Sequence, residues 1–154
     1  MNIELIKLTI KDCEKIHKMQ QLGFVALLEK YRDYETSPGA ESLERIKQRF
    51  AYDVLDHYFI RLDNEDIGYI RIRCFEDNAC HLSQMFILPE FQNKGYAQQA
   101  IAKAESFYPN AQKWTLDTIK QESKLCHLYE KMGYKLTGTE KNIKPGMDLV
   151  DYEK

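Results

Sequence analysis

One stretch constrains the fold of this chain more than any other: Cys80 to Phe107, CHLSQMFILPEFQNKGYAQQAIAKAESF. His81 to Leu88 has the length and the β-branched and aromatic content of a buried strand. Pro89 ends it, because proline has no N–H for the ladder and drives the residue before it towards extended backbone. A short polar loop, Glu90 to Lys94, leads into Gly95-Tyr96-Ala97, and from there Ala97, Ala100, Ile101, Ala104, Phe107 and Tyr108 recur at helical spacing until Pro109. The unit is strand, glycine-containing turn, helix. The first N–H groups of such a helix have no partner inside it, and its dipole adds partial positive charge there. Gly95 and Ala97 carry almost no side chain, so a phosphate can approach the backbone, and Lys94 adds a full positive charge beside it. The stretch therefore predicts a pyrophosphate cradle. It is neither G-x-x-x-x-G-K-S/T nor G-x-G-x-x-G with an acidic residue about 20 positions on, so the usual nucleoside-triphosphate and dinucleotide fingerprints are missing.

The rest of the chain builds around this unit. Ile3 to Leu8 reads as a first strand, and Asp12 is expected to cap a helix with Ile16, Met19, Gly23, Phe24, Leu27, Leu28 and Tyr31 along one face. Arg32 to Glu41, with its Ser-Pro-Gly, is a loop. Ser42 caps a second helix in which Leu43, Ile46, Phe50 and Val54 face inward. Tyr58 to Leu62, Ile67 to Phe75 and the strand at His81 follow each other through short polar turns, the signal of antiparallel neighbours. Trp114 to Thr118 is a fifth strand, parallel to the fourth because a helix joins them. Thr118 and Gln121 suggest a capping box for a helix carrying Leu125, Leu128, Tyr129 and Met132, stopped by Gly133. Tyr134 to Thr137 and Met147 to Tyr152 close the chain around Lys144-Pro145-Gly146. The expected fold class is α/β (α+β): a mixed sheet of about seven strands, flanked by four helices, in one domain over residues 1–154.

Charge and cysteine usage narrow the function classes. The net charge is −2 with no long run of one sign, so nothing suggests a nucleic-acid footprint or a polybasic membrane patch. The N-terminal MNIELIKLTIKDCEK has charges inside its apolar stretch and reads neither as a signal peptide nor as a membrane span. Cys13, Cys74, Cys80 and Cys126 show no C-x-x-C, and the histidines are dispersed, which points to free thiols in a reducing cytoplasm and to no metal site.

Gln92-Asn93-Lys94-Gly95-Tyr96-Ala97 resembles the Q/R-x-x-G-x-G/A signature of the GNAT acyl-CoA N-acyltransferase superfamily. Leu128-Tyr129-Glu130-Lys131-Met132-Gly133-Tyr134 resembles the same family's L-Y-x-K-x-G-F/Y, in the expected place after the first motif. The element order also matches that fold, so the resemblance spans essentially the whole chain. It implies acetyl-CoA as cofactor and strands four and five splaying apart at their C-terminal ends. The backbone of Met85, Phe86, Ile87 and Leu88 then pairs with the pantetheine arm, and Gln92, Asn93, Lys94, Gly95, Tyr96, Ala97 and Gln98 hold the pyrophosphate. Tyr129 matches the tyrosine that protonates the leaving thiolate; otherwise it is a core residue. His81 stands eleven residues before Gln92, where some branches of the family place a glutamate base; other relatives use a water chain. Relatives often carry an asparagine seven residues before the tyrosine, as a CoA contact. Here that position is Glu122, ill-suited to a phosphate, and Gln121 is the expected substitute.

Acceptor specificity is expected from the first two helices and their loop. Tyr31, Tyr34 and Glu35, among the acidic residues of Glu29 to Glu44, suggest an acidic, aromatic-lined mouth for a small cationic amine. A solvated helix face explains the same residues. The leading expectation is direct acetyl transfer from acetyl-CoA to a primary amine in a ternary complex. The alternatives are acetylation of a protein N-terminus or lysine, and a CoA-binding module without catalysis. Homodimers are common among relatives.

Overall fold

A proline-terminated strand and a glycine-started helix sit at the centre of the observed topology. The computed structural model describes residues 2–154. Seven strands form one sheet in the order β1-β2-β3-β4-β5-β7-β6. They are β1 (Ile3–Lys7), β2 (Leu55–Leu62), β3 (Glu65–Cys74), β4 (Ala79–Ile87), β5 (Lys113–Ile119), β6 (Lys135–Lys144) and β7 (Met147–Glu153). Four helices accompany them: α1 (Cys13–Tyr31), α2 (Leu43–Arg49), α3 (Tyr96–Ser106) and α4 (Ser123–Lys131). The order of elements is the expected one. β1 to β4 run antiparallel in succession, and the α3 crossover makes β4 and β5 parallel. No helix among the described residues is long and apolar enough to cross a membrane.

The sheet buries two cores. One holds Ile60, Ile67, Ile70, Ile72 and Ile87 with Ala100, Ile101 and Ala104 of α3 and Tyr129 of α4. The other holds Phe59, Tyr69, Phe86 and Leu88 with Cys13, Ile16 and Met19 of α1 and Ile46 of α2. The small α3 residues let that helix lie close to the strands, and Gly23 does the same for α1: a Cβ there would stand 2.5 Å from the Phe86 ring.

Several local expectations are corrected. Asp12 does not cap α1; its carboxylate accepts from Thr9 N at 2.9 Å, and Thr9 caps a preceding 3-10 turn. Ser42 does cap α2, accepting from Arg45 N at 3.2 Å. Val54 lies beyond that helix and is 44% exposed. Thr118 belongs to β5, so it cannot start α4, and no side chain among the described residues caps α4. β6 runs on to Lys144, well past Thr137; its mostly exposed residues at the sheet edge lack the apolar alternation that marks a strand. It meets β7 across Pro145-Gly146, where Lys144 pairs with Met147 and Gly146 takes a φ of 81°.

His57 on β2 gives the fold a pH dependence. It is 3% exposed, stacked on Phe50 with ring centroids 3.9 Å apart, and its Nδ1 lies 2.7 Å from the Tyr69 hydroxyl. Its Nε2 is buried without a partner among the described residues. Burial, then the charges of Arg71 and Arg49, push its pKa down to about 4 from 6.5. The unfolded chain therefore binds the proton more readily between these values, so stability is complete above pH 6.5 and falls as pH drops towards 4. Denaturant titration should show a loss of about 2 kcal/mol between about pH 7.5 and 5. His57→Gln should flatten that slope, and a wild-type stability that is already flat there would contradict the assignment.

Candidate active site

The parallel pairing of β4 with β5 covers three residue pairs and stops: Ala79 with Lys113, Cys80 with Trp114, His81 with Thr115. A bulge at Ser83 bends β4 where the pairing ends, since Ile72 pairs with Leu82 and Arg71 with Gln84. From Leu82 to Ile87 the β5-side edge of β4 has no strand partner among the described residues. Backbone groups along such an edge require hydrogen bonds, and a ligand with amides of its own can complete the ladder.

The loop after β4 is shaped for an anion. Asn93 takes a φ of 62° and Gly95 one of 83°, so successive amides turn towards one concavity. No side chain among the described residues caps α3, and the first bond within it runs from Gln99 N to Gly95 O at 3.2 Å. Gln92 braces the loop, its Nε2 donating to Ile87 O at 2.8 Å. Lys94 is exposed beside it, with Nζ 3.4 Å from Glu90 O. Gln92, Asn93, Gly95, the buried Tyr96, Ala97 and Gln98 line one cavity, and Lys94 lies outside its lining.

Two cavities meet at the gap. The first, about 490 Å³, runs between α1, β4, the Phe91–Gln98 loop and α4, and includes Met85, Phe86 and Ile87. Leu88 is buried at the head of the loop, its N–H given to Ile67 O at 2.8 Å, and lies outside this lining. Lys124, His127 and Lys131 also border the first cavity. The signal for these was a polar stripe at i, i+3, i+7 beside the apolar positions Leu125 and Leu128, which line the same cavity. The second cavity, about 300 Å³, reaches through the gap to Ser83, Gln84, Asp117, Thr118 and Tyr129. Phe24, Leu27, Met85 and Leu125 line both.

Tyr129 is buried in the second cavity wall, and its phenol makes no hydrogen bond among the described residues. Burial, with Asp117 and Cys126, pushes it well above the usual tyrosine range, so it is a protonated donor at neutral pH. Asp117, absent from the expected site, is solvent-accessible in the same cavity. Desolvation in that concave surround raises its carboxyl, opposed by His81 and reinforced by Asp151. The signal for it was its place as an outward residue of KWTLDTI beside the gap. His81 lines neither cavity; its Nδ1 lies 2.7 Å from Thr115 Oγ1, and burial lowers its pKa, so the imidazole is neutral. The reason is register: His81 sits at the last closed pair, one residue short of the gap.

The acceptor-side expectations change most. Tyr34 is 67% exposed and Glu35 is exposed, and neither lines the cavity, because the loop turns them outward. Tyr31 lines it, with its hydroxyl given to Glu122. Glu122 is ion-paired with Lys30, so its charge is neutralised; burial pushes its carboxyl up, but the bonds from Lys30 and Tyr31 outweigh that and hold it low. Gln121 lines neither cavity. Its amide is spent on β7, donating to Asp148 Oδ2 at 2.8 Å and accepting from Asp148 N at 3.0 Å.

The model of the acetyltransferase (GNAT) family matches residues 24–134. None of the curated proteins matches the chain. Among solved structures, it is similar to an acetyltransferase from Thermus thermophilus, with 15% identity over 100% of this chain and 97% of that one and a TM-score of 0.77. The PaiA N-acetyltransferase from Thermoplasma acidophilum, in complex with coenzyme A, aligns at 18% identity over 100% of both chains, TM-score 0.73. The spermidine N-acetyltransferase from Vibrio cholerae, in complex with CoA and spermine, aligns at 20% identity over 99% and 94%, TM-score 0.77.

A Cβ at Gly95 meets nothing within 4 Å beyond its chain neighbours, so the protein leaves that side of the turn open to a ligand. Gly95→Ala should weaken coenzyme A binding about tenfold or more, a change of about 1.4 kcal/mol or above. Positive-φ strain of about 1 kcal/mol should lower the melting midpoint by only about 2–4 °C. Unchanged affinity by calorimetry would remove the cradle from the site.

Proposed function

The chain belongs to the acetyltransferase (GNAT) family, and we propose that it transfers an acetyl group from acetyl-CoA directly to the primary amine of a small acceptor, both bound at once. The observation that carries this reading is the meeting of two cavities at Met85, with the unbonded phenol of Tyr129 in the wall of the second. Acetyl-CoA, when bound, supplies the acyl group as a thioester.

The chain's own residues do the rest. The amides from Asn93 to Gln98 and the charges of Lys94, Lys124 and Lys131 bind the pyrophosphate. The open edge of β4 at Met85–Ile87 orients the arm and offers an N–H to the thioester oxygen, where negative charge develops; Leu88, its N–H already bonded, takes no part. An alkylammonium of pKa about 10 must lose a proton before it attacks. Asp117, accessible in the cavity with its carboxyl raised by desolvation, receives that proton, directly or through water. Tyr129 gives its phenolic proton to the departing sulfur and regains one from solvent. His81, bonded to Thr115 at the last closed pair of β4 and β5, lies behind Asp117 and is left out of the proton transfer.

The amine acceptor is supported by the Vibrio cholerae neighbour, whose structure holds spermine. The test is thiol release from acetyl-CoA with a panel of amines, with the thermal shift on adding coenzyme A as the control; release with no amine would reject the reading. Tyr129→Phe should lower kcat about 100-fold or more and leave CoA affinity unchanged. An unaltered kcat removes Tyr129 from the chemistry. The acid limb of the pH–rate profile should vanish in Asp117→Asn and persist in His81→Gln; the reverse pattern assigns the base to His81.

A further inference from the structure

The second cavity holds a guanidinium left without a carboxylate partner among the described residues. Arg71 lies on β3 opposite Gln84, is 9% exposed, and lines the cavity. Its Nε is buried without a hydrogen-bond partner among the described residues. It makes no ion pair among them either. The carboxylate near it, Glu41, is already committed: both of its oxygens receive Arg49, and Gln20 Nε2 donates to it at 3.1 Å. The Tyr69 hydroxyl, 2.7 Å from His57 Nδ1, is the one neutral group that Arg71 meets as a hydrogen-bond partner among the described residues. Asp33 is folded into its own turn, accepting from Thr36 N at 3.1 Å and from Thr36 Oγ1. A buried guanidinium without a counter-charge is costly, and its planar fork is matched by a carboxylate.

We infer that the acceptor is a zwitterionic, amino-acid-like amine whose carboxylate is bound by Arg71, with its amine turned towards Asp117 and Tyr129. This rests on the reading of the chain as an acetyltransferase and names the substrate class for the same site. With Glu41, Arg49 and Asp33 committed, Arg71, which has only the Tyr69 hydroxyl against it, and Asp117 are the charged groups of the cavity left unpaired among the described residues, one of each sign. A polycation would satisfy Asp117 but set a like charge against Arg71. The cavity of about 300 Å³ is of a size for one such molecule. Arg71 is then a specificity determinant, and Gln84, held at 2.8 Å by Gln20 Oε1, fixes the strand face from which it projects.

The test uses acceptor pairs that differ only in the carboxylate: β-alanine with ethylamine, 4-aminobutyrate with propylamine, lysine with cadaverine, and spermidine alone. Wild-type kcat/KM should favour the carboxylated member of at least one pair by about 10- to 100-fold, the range of a charge-assisted hydrogen bond. Arg71→Gln should bring that ratio to near one, and Arg71→Lys should restore part of it. A purely structural arginine would lower both members alike. Thermal shift with coenzyme A reports whether each variant is folded, and the wild-type ratio decides even if none is. Preference for the carboxylate-free amines or for spermidine overturns the inference. If no amine is turned over, calorimetry of N-acetyl-β-alanine against N-ethylacetamide on the CoA-loaded protein decides in the same way. If coenzyme A does not bind, the acetyltransferase reading fails, and binding of the free amino acids, lost in Arg71→Gln, still decides the role of Arg71.

Discussion

The interrupted ladder between β4 and β5 is the constraint on which the rest of the site depends. Three parallel pairs hold the strands together, and then the β5-side edge of β4 is left without a strand partner among the described residues for the length of its apolar half. Unpaired strand edges inside a protein are costly unless something completes them. The bulge at Ser83, the proline that ends β4 and the positive-φ residues Asn93 and Gly95 all lie within one short stretch. Together they convert an unfinished sheet into a groove that ends on the free amides of α3.

The two cores hold this gap open from opposite sides. α3 and α4 pack on one face through Ala100, Ile101, Ala104 and Tyr129, and α1 closes on the other through the notch at Gly23. Between α1 and the sheet lies a buried polar layer, Gln84 to Gln20 to Glu41 to Arg49, each link hydrogen-bonded. Burial pushes the Glu41 carboxyl up, but Arg49 and Gln20 outweigh it and hold it low. A satisfied network of this kind rigidifies what it supports. It forms part of the second cavity's wall and leaves Arg71 unmatched beside it.

Much of this was legible in the sequence where a residue's type reports its local backbone. Pro89, Gly95 and Gly133 marked the ends of elements, and the apolar periods of α3 and α4 gave their inward faces. β6 was truncated because an edge strand needs no apolar side, so TGTEKNIK carries no period-2 signal. The capping readings at Asp12 and Thr118 failed because a short 3-10 turn and an extra strand residue moved the helix starts. The acceptor side failed for a different reason. Tyr34 and Glu35 are of the right chemical type, but loop direction decides which side chains face a cavity, and local sequence does not encode it. Arg71 did carry a signal, a charge inside the apolar run IGYIRIRC of a central strand. Its meaning depended on partners far away in sequence, which only the assembled sheet reveals.

The central claim is that the open edge of β4 and the free amides before α3 are completed by the cofactor. Amide hydrogen exchange with and without coenzyme A measures this directly. Strong added protection should concentrate in Met85–Ile87 and in residues 93–98, leaving β1 to β3 unchanged. Protection spread evenly over the sheet, or absent from these two segments while coenzyme A is bound, would contradict the account.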